Sequence, residues 1–399
     1  MQRVQVILIP GFFGFGRLGE IDYFAGVGQA LTQALAQHGI DATVREVVTP
    51  PTASIRKRAA RVLEALAQAA EAPGDLHLVG HSTGGLDARL AIAATAALPT
   101  AAKFVDYDRV RSVVSVSCPH YGTNVSTYFT RPFGRTLFRW VSGYLVFMLQ
   151  RGRLPLKLLL RLGYWVVRLR DPWRRARSTF DQLYERLLDD LSEARRLELV
   201  QFLHQIGSEQ ALLFQLTPAG CDLLNACTLA PPVAHGSVVT CAPAPRFRTL
   251  LRSVASLYSQ IMYPVYWLLH RLSRERDATL RDQLLPEQLG RLDAGLGRTA
   301  AGSDSDGMVP VLSQVWGEVL HVAFADHLDV VGQYGAASEE SWGGDWLPSE
   351  SGFDRDRFDA VWRDVAAFMA RSSAGVPAER QSDERSVSPS SPGAASTAT

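Results

Sequence analysis

The sequence predicts an α/β protein built on a mostly parallel sheet, and three observations carry that reading. The continuous apolar runs "VILI" (Val6–Ile9) and "LHLV" (Leu76–Val79) suit strands buried on both faces. Segments with apolar residues at helical spacing alternate with these runs, giving a β-α-β-α order over the first 127 residues. A chain of 399 residues, 47% of them hydrophobic, is ample for a large core.

Each element has its own justification. Val4–Ile9 is a first strand that stops at Pro10. Gly26–His38 has helical spacing and ends at Gly39. Ala42–Val48 is rich in β-branched residues, and Ile55–Ala70 is Ala-rich and amphipathic. Leu76–Val79 is a short strand, Leu86–Ala97 a helix and Val110–Val116 a strand. β-like character returns at Gly236–Cys241 and Val319–Phe324, and Phe353–Ala370 reads as a final helix. The α/β domain therefore runs over residues 1–371, with helical insertions at 128–216 and 250–290. A Ser/Pro/Ala-rich tail, 372–399, lacks the apolar residues a core needs and is expected to be disordered.

Between Arg131 and Arg177 lie 12 Lys/Arg and one acid, Asp171, interleaved with aromatic residues such as Trp140, Trp165 and Trp173. Leu250–Leu272 is also basic and aromatic. Such segments suit either a lid that meets an anionic lipid surface or helices packed on the core with solvated arginines. The formal net charge of +1 gives no global pointer to nucleic acid. The four cysteines have no metal-ligand spacing, and a disulfide such as Cys221–Cys241 is allowed but not implied. The N-terminal apolar run is too short for a secretory leader, which predicts a cytoplasmic protein, or a secreted one whose leader has been removed. No window has the length of a membrane span.

The stretch "DLHLVGHSTGGLDARLAIAATAA" (Asp75–Ala97) carries the chemistry. A strand stops at Gly80-His-Ser82-Thr-Gly84 and a helical pattern follows. Small residues permit a tight turn with strained backbone at the serine, which lifts its oxygen above the sheet. A lone Gly-x-Ser-x-Gly arises by chance in roughly one chain in five to ten of this length, so the strand and helix around it decide the reading. A serine hydroxyl needs a base, a group that orients the base, and donors for the developing oxyanion. His327 follows the strand-like "LHVAF", and Asp306 lies in the polar turn "GSDSDGMVP". The order Ser82, Asp306, His327 is the one such folds use. His81 neighbours the serine but points elsewhere if the turn is real. The Gly-rich loop "IPGFFGFGRLG" (Ile9–Gly19) follows the first strand. The amides of Phe12 and Thr83 are the expected oxyanion donors.

These residues resemble the bacterial true lipases of the Pseudomonas and Burkholderia type, members of the α/β-hydrolase fold. The resemblance rests on "PGFFGFGRLGEIDYFAGVGQAL", "LVGHSTGGLDAR", "SVSCPHYGTNVS", "QLTPAGCDLLN", "SDGMVP" and "HLDVVGQY", in the family's order. It implies Ser82 as nucleophile, His327 as general base and Asp306 as the orienting acid, with Asp304 the weaker alternative. It also implies a structural calcium ion near His327. Asp329 and Gln333 match two of its ligands, and Asp282 is the nearest candidate for the other carboxylate. The chain departs from the family at Pro10, where a histidine is usual, and at Thr83. It also has Leu312 and Ser313 where a cysteine is expected.

The implied activity is carboxylic ester hydrolysis, of triacylglycerol type, on a lipid or ester substrate at a membrane or lipid-droplet surface. An acyltransferase or polyester depolymerase would use the same triad. A non-enzymatic membrane-docking protein on this scaffold would show a broken triad, and none is evident.

Overall fold

The computed structural model describes residues 2–12, 17–18, 21–131, 211–228, 232–245, 257–274, 279–335 and 347–375. The basic insertion beyond Arg131 and most of the C-terminal tail lie outside the described residues.

Six parallel strands form one sheet in the order β4-β1-β5-β6-β7-β8. They are β1 (Gln2–Ile9), β4 (Ile40–Glu46), β5 (Asp75–His81), β6 (Val110–Val116), β7 (Ala234–Thr240) and β8 (Glu318–Ala323). Two short strands, β2 (Arg17–Leu18) and β3 (Ile21–Asp22), pair antiparallel after β1. Each neighbouring pair in the large sheet is parallel. This is the doubly covered parallel sheet of the α/β-hydrolase fold, and the strands' composition explains it. In β1 the side chains of Val4, Val6 and Leu8 join one core cluster, while Ile7 and Ile9 join another. A strand apolar on both faces must be covered on both.

Helices supply the cover. On one face α1 (Val27–Gln37) packs against the last helix, which we number α9 (Arg355–Ser373). Phe358, Val361, Trp362 and Val365 of α9 are fully or almost fully buried there. On the other face lie α2 (Ile55–Ala69) and α3 (Thr83–Ala91). Ser54 caps α2 by accepting a hydrogen bond from Lys57 N. Four further helices lie between: α4 (Asn124–Phe129), α5 (Ala211–Gln215), α6 (Pro218–Cys227) and α7 (Leu257–Ser273). The eighth, α8 (Pro286–Leu296), precedes β8. No helix among the described residues is long and apolar enough to cross a membrane.

Two expectations need correction. Helix α3 begins at Thr83 and stops at Ala91, well before Ala97. The chain then bends back toward α2, where Arg56 Nε donates to the Ala97 carbonyl at 2.6 Å. The last helix runs on to Ser373, two residues into the expected tail. All four cysteines are free thiols, so Cys221 and Cys241 are not bridged. In α7, Met262, Tyr263, Tyr266 and Leu269 pack into the core, while Trp267 is exposed with Arg271 over its ring.

One buried histidine stitches α9 to the sheet. His77 of β5 is fully buried, with Nδ1 2.7 Å from Ser112 Oγ and Nε2 3.0 Å from Ser373 Oγ. Burial pushes its pKa down to about 4. Its folded pKa is therefore below the unfolded value of about 6.5. The stability it contributes is complete above about pH 6.5 and is lost as the pH falls toward 4. The stability of wild type relative to His77→Gln should fall by on the order of 3 kcal/mol between pH 7 and pH 4. Urea unfolding of both proteins across that range checks this, and a difference independent of pH would remove the assignment.

Candidate active site

The site forms at the carboxyl ends of the strands, where β5, β8 and the loop after β1 converge. Ser82 sits between β5 and α3 with φ 54° and ψ −127°, in the left-handed region that L residues avoid. Two glycines permit the turn by close approach. A Cβ on Gly84 would lie 2.2 Å from the Ile9 carbonyl oxygen, and one on Gly80 would lie 2.3 Å from the Gly84 carbonyl. The Ser82 amide donates to the Val116 carbonyl at 2.8 Å, which ties the turn to β6.

The three residues expected to work together are brought together. Ser82 Oγ is 2.9 Å from His327 Nε2, and His327 Nδ1 is 2.7 Å from Asp306 Oδ2. With a carboxylate facing it, Nδ1 carries the proton and Nε2 is left to accept from the serine hydroxyl. His327 N also donates to the Asp306 carbonyl at 3.0 Å, so backbone and ring are both referred to the acid.

Asp306 is fully buried, and five donors surround its carboxylate. Oδ1 accepts from Met308 N (2.9 Å) and Val309 N (2.7 Å). Oδ2 accepts from Thr240 Oγ1 (2.9 Å), Gln314 Nε2 (3.3 Å) and His327 Nδ1. Asp304, the alternative acid, is instead engaged by Arg298 at 2.6 and 2.9 Å.

The loop after β1 lies directly against Ser82. A Cβ on Gly11 would fall 2.6 Å from Ser82 Cβ and 2.8 Å from Tyr23 Oη. Phe12 follows in that loop, half-buried against two core clusters, and Thr83 is the first residue of α3. Arg58, fully buried on the inner face of α2, organises this loop. Its Nη2 reaches the carbonyls of Pro10 (2.8 Å) and Gly11 (2.9 Å) and Thr83 Oγ1 (3.2 Å). Its Nη1 reaches the Pro50 carbonyl at 3.0 Å, and its Nε pairs with Asp87 at 2.8 Å. Burial pushes the Asp87 carboxyl up to about 6 against the pull of Arg58.

Sequence reasoning missed Arg58, Asp87, Thr240 and Gln314. Arg58 had a signal: it stands on the apolar stripe of α2 with Ile55, Ala59, Val62 and Leu66, where a guanidinium must find partners. Thr240 and Gln314 come from distant segments and had none. His81 turns away from Ser82, toward Tyr23 and the backbone of His327.

The residues expected to hold calcium fit in part. Asp329 is buried and accepts from Asp326 N (2.8 Å) and Ser351 Oγ (2.7 Å), and burial raises its pKa. Gln333 Nε2 donates to the Asp22 carbonyl at 2.9 Å, which fixes the amide's orientation. Its buried Oε1 then has no partner among the described residues. A buried carboxylate and an orphaned amide oxygen in one turn suit a hard cation. Asp282 is exposed at the end of a short helix (Thr279–Asp282), and no group of three or more His, Cys, Asp or Glu side chains poised for a metal ion occurs among the described residues.

No protein-family model matches the chain. A stretch of 129 residues is 30% identical to a triacylglycerol lipase of Pseudomonas fragi, covering 31% of this chain and 37% of that protein. The chain thus spans little more than a third of the length of the curated relative it matches. Among solved structures, a lipase of Pelosinus fermentans is 16% identical with a TM-score of 0.48, covering 93% of this chain and 99% of that one. A metagenomic carboxyl esterase is 16% identical with a TM-score of 0.46, covering 92% and 75%. These likenesses are loose, and the fold assignment stands on the sheet topology.

The contact between Gly11 and Ser82 can be tested without a substrate. Gly11→Ala should slow labelling of Ser82 by a fluorophosphonate at least about tenfold, the equivalent of 1.4 kcal/mol in the barrier. The circular dichroism spectrum should stay unchanged. Labelling at the wild-type rate would mean that the loop does not approach the serine as described.

Proposed function

We propose that this chain is a serine carboxylic ester hydrolase acting on lipid-type acyl esters, as a triacylglycerol lipase does. The observation that carries this is the hydrogen-bonded series Ser82–His327–Asp306, at 2.9 and 2.7 Å, beneath a strained strand-to-helix turn. The 129-residue similarity to a triacylglycerol lipase supports the choice of ester.

In this reading His327 Nε2 takes the Ser82 proton as Oγ attacks the ester carbonyl. The amides of Phe12 and Thr83 receive the oxyanion. Asp306 holds the imidazolium that forms, and its buried donors keep it an acceptor in the right place. His327 then gives its proton to the departing alcohol. Water, activated by the same nitrogen, releases the acid from Ser82.

The test is hydrolysis of short- and long-chain p-nitrophenyl esters. Ser82→Ala should lose roughly 10⁴-fold or more in kcat while keeping its fold. A wild-type protein that is folded yet inert on every chain length, with and without detergent, would overturn the assignment.

We also propose that calcium binds at the turn after His327 through Asp329 and Gln333 Oε1. There it would compensate a buried carboxylate and stiffen the turn. Calcium should raise the Tm of wild type and leave that of Gln333→Leu unmoved. An equal response in both proteins, or none in either, would remove this site.

A further inference from the structure

We propose that Tyr23 and His81 form a one-way hydrogen-bond relay that couples the oxyanion loop to the general base, and that both act as positioning residues. The proposal rests on the hydrolase reading above. It concerns two residues that take no part in the triad.

The relay has three links, all buried. Gly11 N donates to Tyr23 Oη at 2.8 Å. Tyr23 Oη lies 2.7 Å from His81 Nδ1. His81 Nε2 lies 2.8 Å from the His327 carbonyl oxygen. The end groups fix the direction of every bond. A carbonyl oxygen can only accept, so His81 Nε2 carries the proton and donates to His327. A neutral His81 then presents a bare lone pair at Nδ1, and the Tyr23 hydroxyl must donate to it. The lone pairs on Oη remain for the Gly11 amide, which can only donate. No member can reverse without breaking the next link.

The two ends are the places where catalysis needs precision. Gly11 precedes Phe12, the expected oxyanion donor, and its peptide is held from both sides: the N–H by Tyr23 and the carbonyl by Arg58 at 2.9 Å. At the other end the His327 backbone is held twice, its amide by the Asp306 carbonyl and its carbonyl by His81. The relay thus sets the position of the oxyanion loop against that of the base. These two groups are separated by more than 300 residues of sequence, and each follows a different strand, β1 and β8.

The arrangement requires a neutral His81. Its ring centroid is 4.8 Å from that of His327, where positive charge develops when the Ser82 proton is taken. Complete burial and the neighbouring charge both push the His81 pKa well below its usual value. Burial likewise raises the Tyr23 phenol, which keeps its proton. A protonated His81 would point an N–H at the Tyr23 oxygen, and the phenol would lose its acceptor.

The experiment uses active-site titration, so that every rate is expressed per competent serine. Tyr23→Phe removes one hydroxyl and strands both the Gly11 amide and His81 Nδ1. It should lower kcat by about 10- to 100-fold with KM within about twofold, the pattern for support felt in the transition state. Fluorophosphonate labelling, which also needs the oxyanion site, should slow in step. His81→Gln keeps one donor and one acceptor, so its kcat should exceed that of His81→Leu by at least about tenfold. This second comparison carries the test if Tyr23→Phe does not fold. Loss confined to the number of titratable sites, with normal kcat per site, would reduce both residues to structural roles and overturn the relay. So would equal rates for the Gln and Leu variants. A wild type inert on esters, or a Ser82→Ala as active as wild type, would instead sink the hydrolase reading itself.

Discussion

Ser82 is held in a backbone conformation that costs roughly 1–3 kcal/mol, and the surrounding structure is what keeps it there. Strand β5 lies between β1 and β6, so its end cannot relax sideways. The Ser82 amide is committed to Val116, and Gly84 lies against the Ile9 carbonyl with no room for a methyl group. The strain has a geometric product. It presents the hydroxyl on the sheet's rim, where loops from β1, β7 and β8 also end. A relaxed serine on the same strand would point into a core cluster instead.

Two buried carboxylates serve that rim in different ways. Asp306 has five hydrogen-bond donors, and no lysine or arginine contacts it among the described residues. Hydrogen bonds to a charged group are worth about 1.5–3 kcal/mol each, enough together to offset several kcal/mol of desolvation. The result is an acceptor whose two oxygens are both fixed, with Nδ1 of His327 as one of its donors. Asp87 is offset by a single charge, Arg58, and its Oδ1 has no partner among the described residues. Its burial is tolerable because Arg58 is anchored by four further acceptors. Asp87 therefore acts on the loop through Arg58, and Asp306 meets His327 directly.

The sheet was legible because both of its faces are covered. Continuous runs such as "LHLV" admit no other element of that length between a turn and a glycine. Ser82, Asp306 and His327 were legible as candidates because each sits in a turn with its own signature: Gly-x-Ser-x-Gly, Asp-Gly, and a histidine just beyond a strand. The order of these turns is a property of the chain. Thr240, Gln314, Tyr23 and His81 were not legible as a group, because what unites them is contact between segments that the sequence holds far apart. His81 could be placed only by exclusion, as a residue that had to face away from Ser82. The placement of Asp282 was not legible for the same reason, because spacing from the acid does not fix where a short surface helix lies.

Pro10 decides how the loop after β1 can be held. A residue with an N–H at that position could brace the loop by donating; proline cannot. Here the loop is braced through its acceptors. The carbonyls of Pro10 and Gly11 both receive Nη2 of Arg58. This solution demands a cation under the loop, and a cation in the core demands a counter-charge, which is Asp87 on the helix that follows the nucleophile. Helix α3 thereby fixes both Ser82 and, through Asp87 and Arg58, the loop opposite it. Donors placed in advance of a reaction need no reorganisation as charge develops, and in the proposed reaction the bracing would confer that condition on the amide of Phe12.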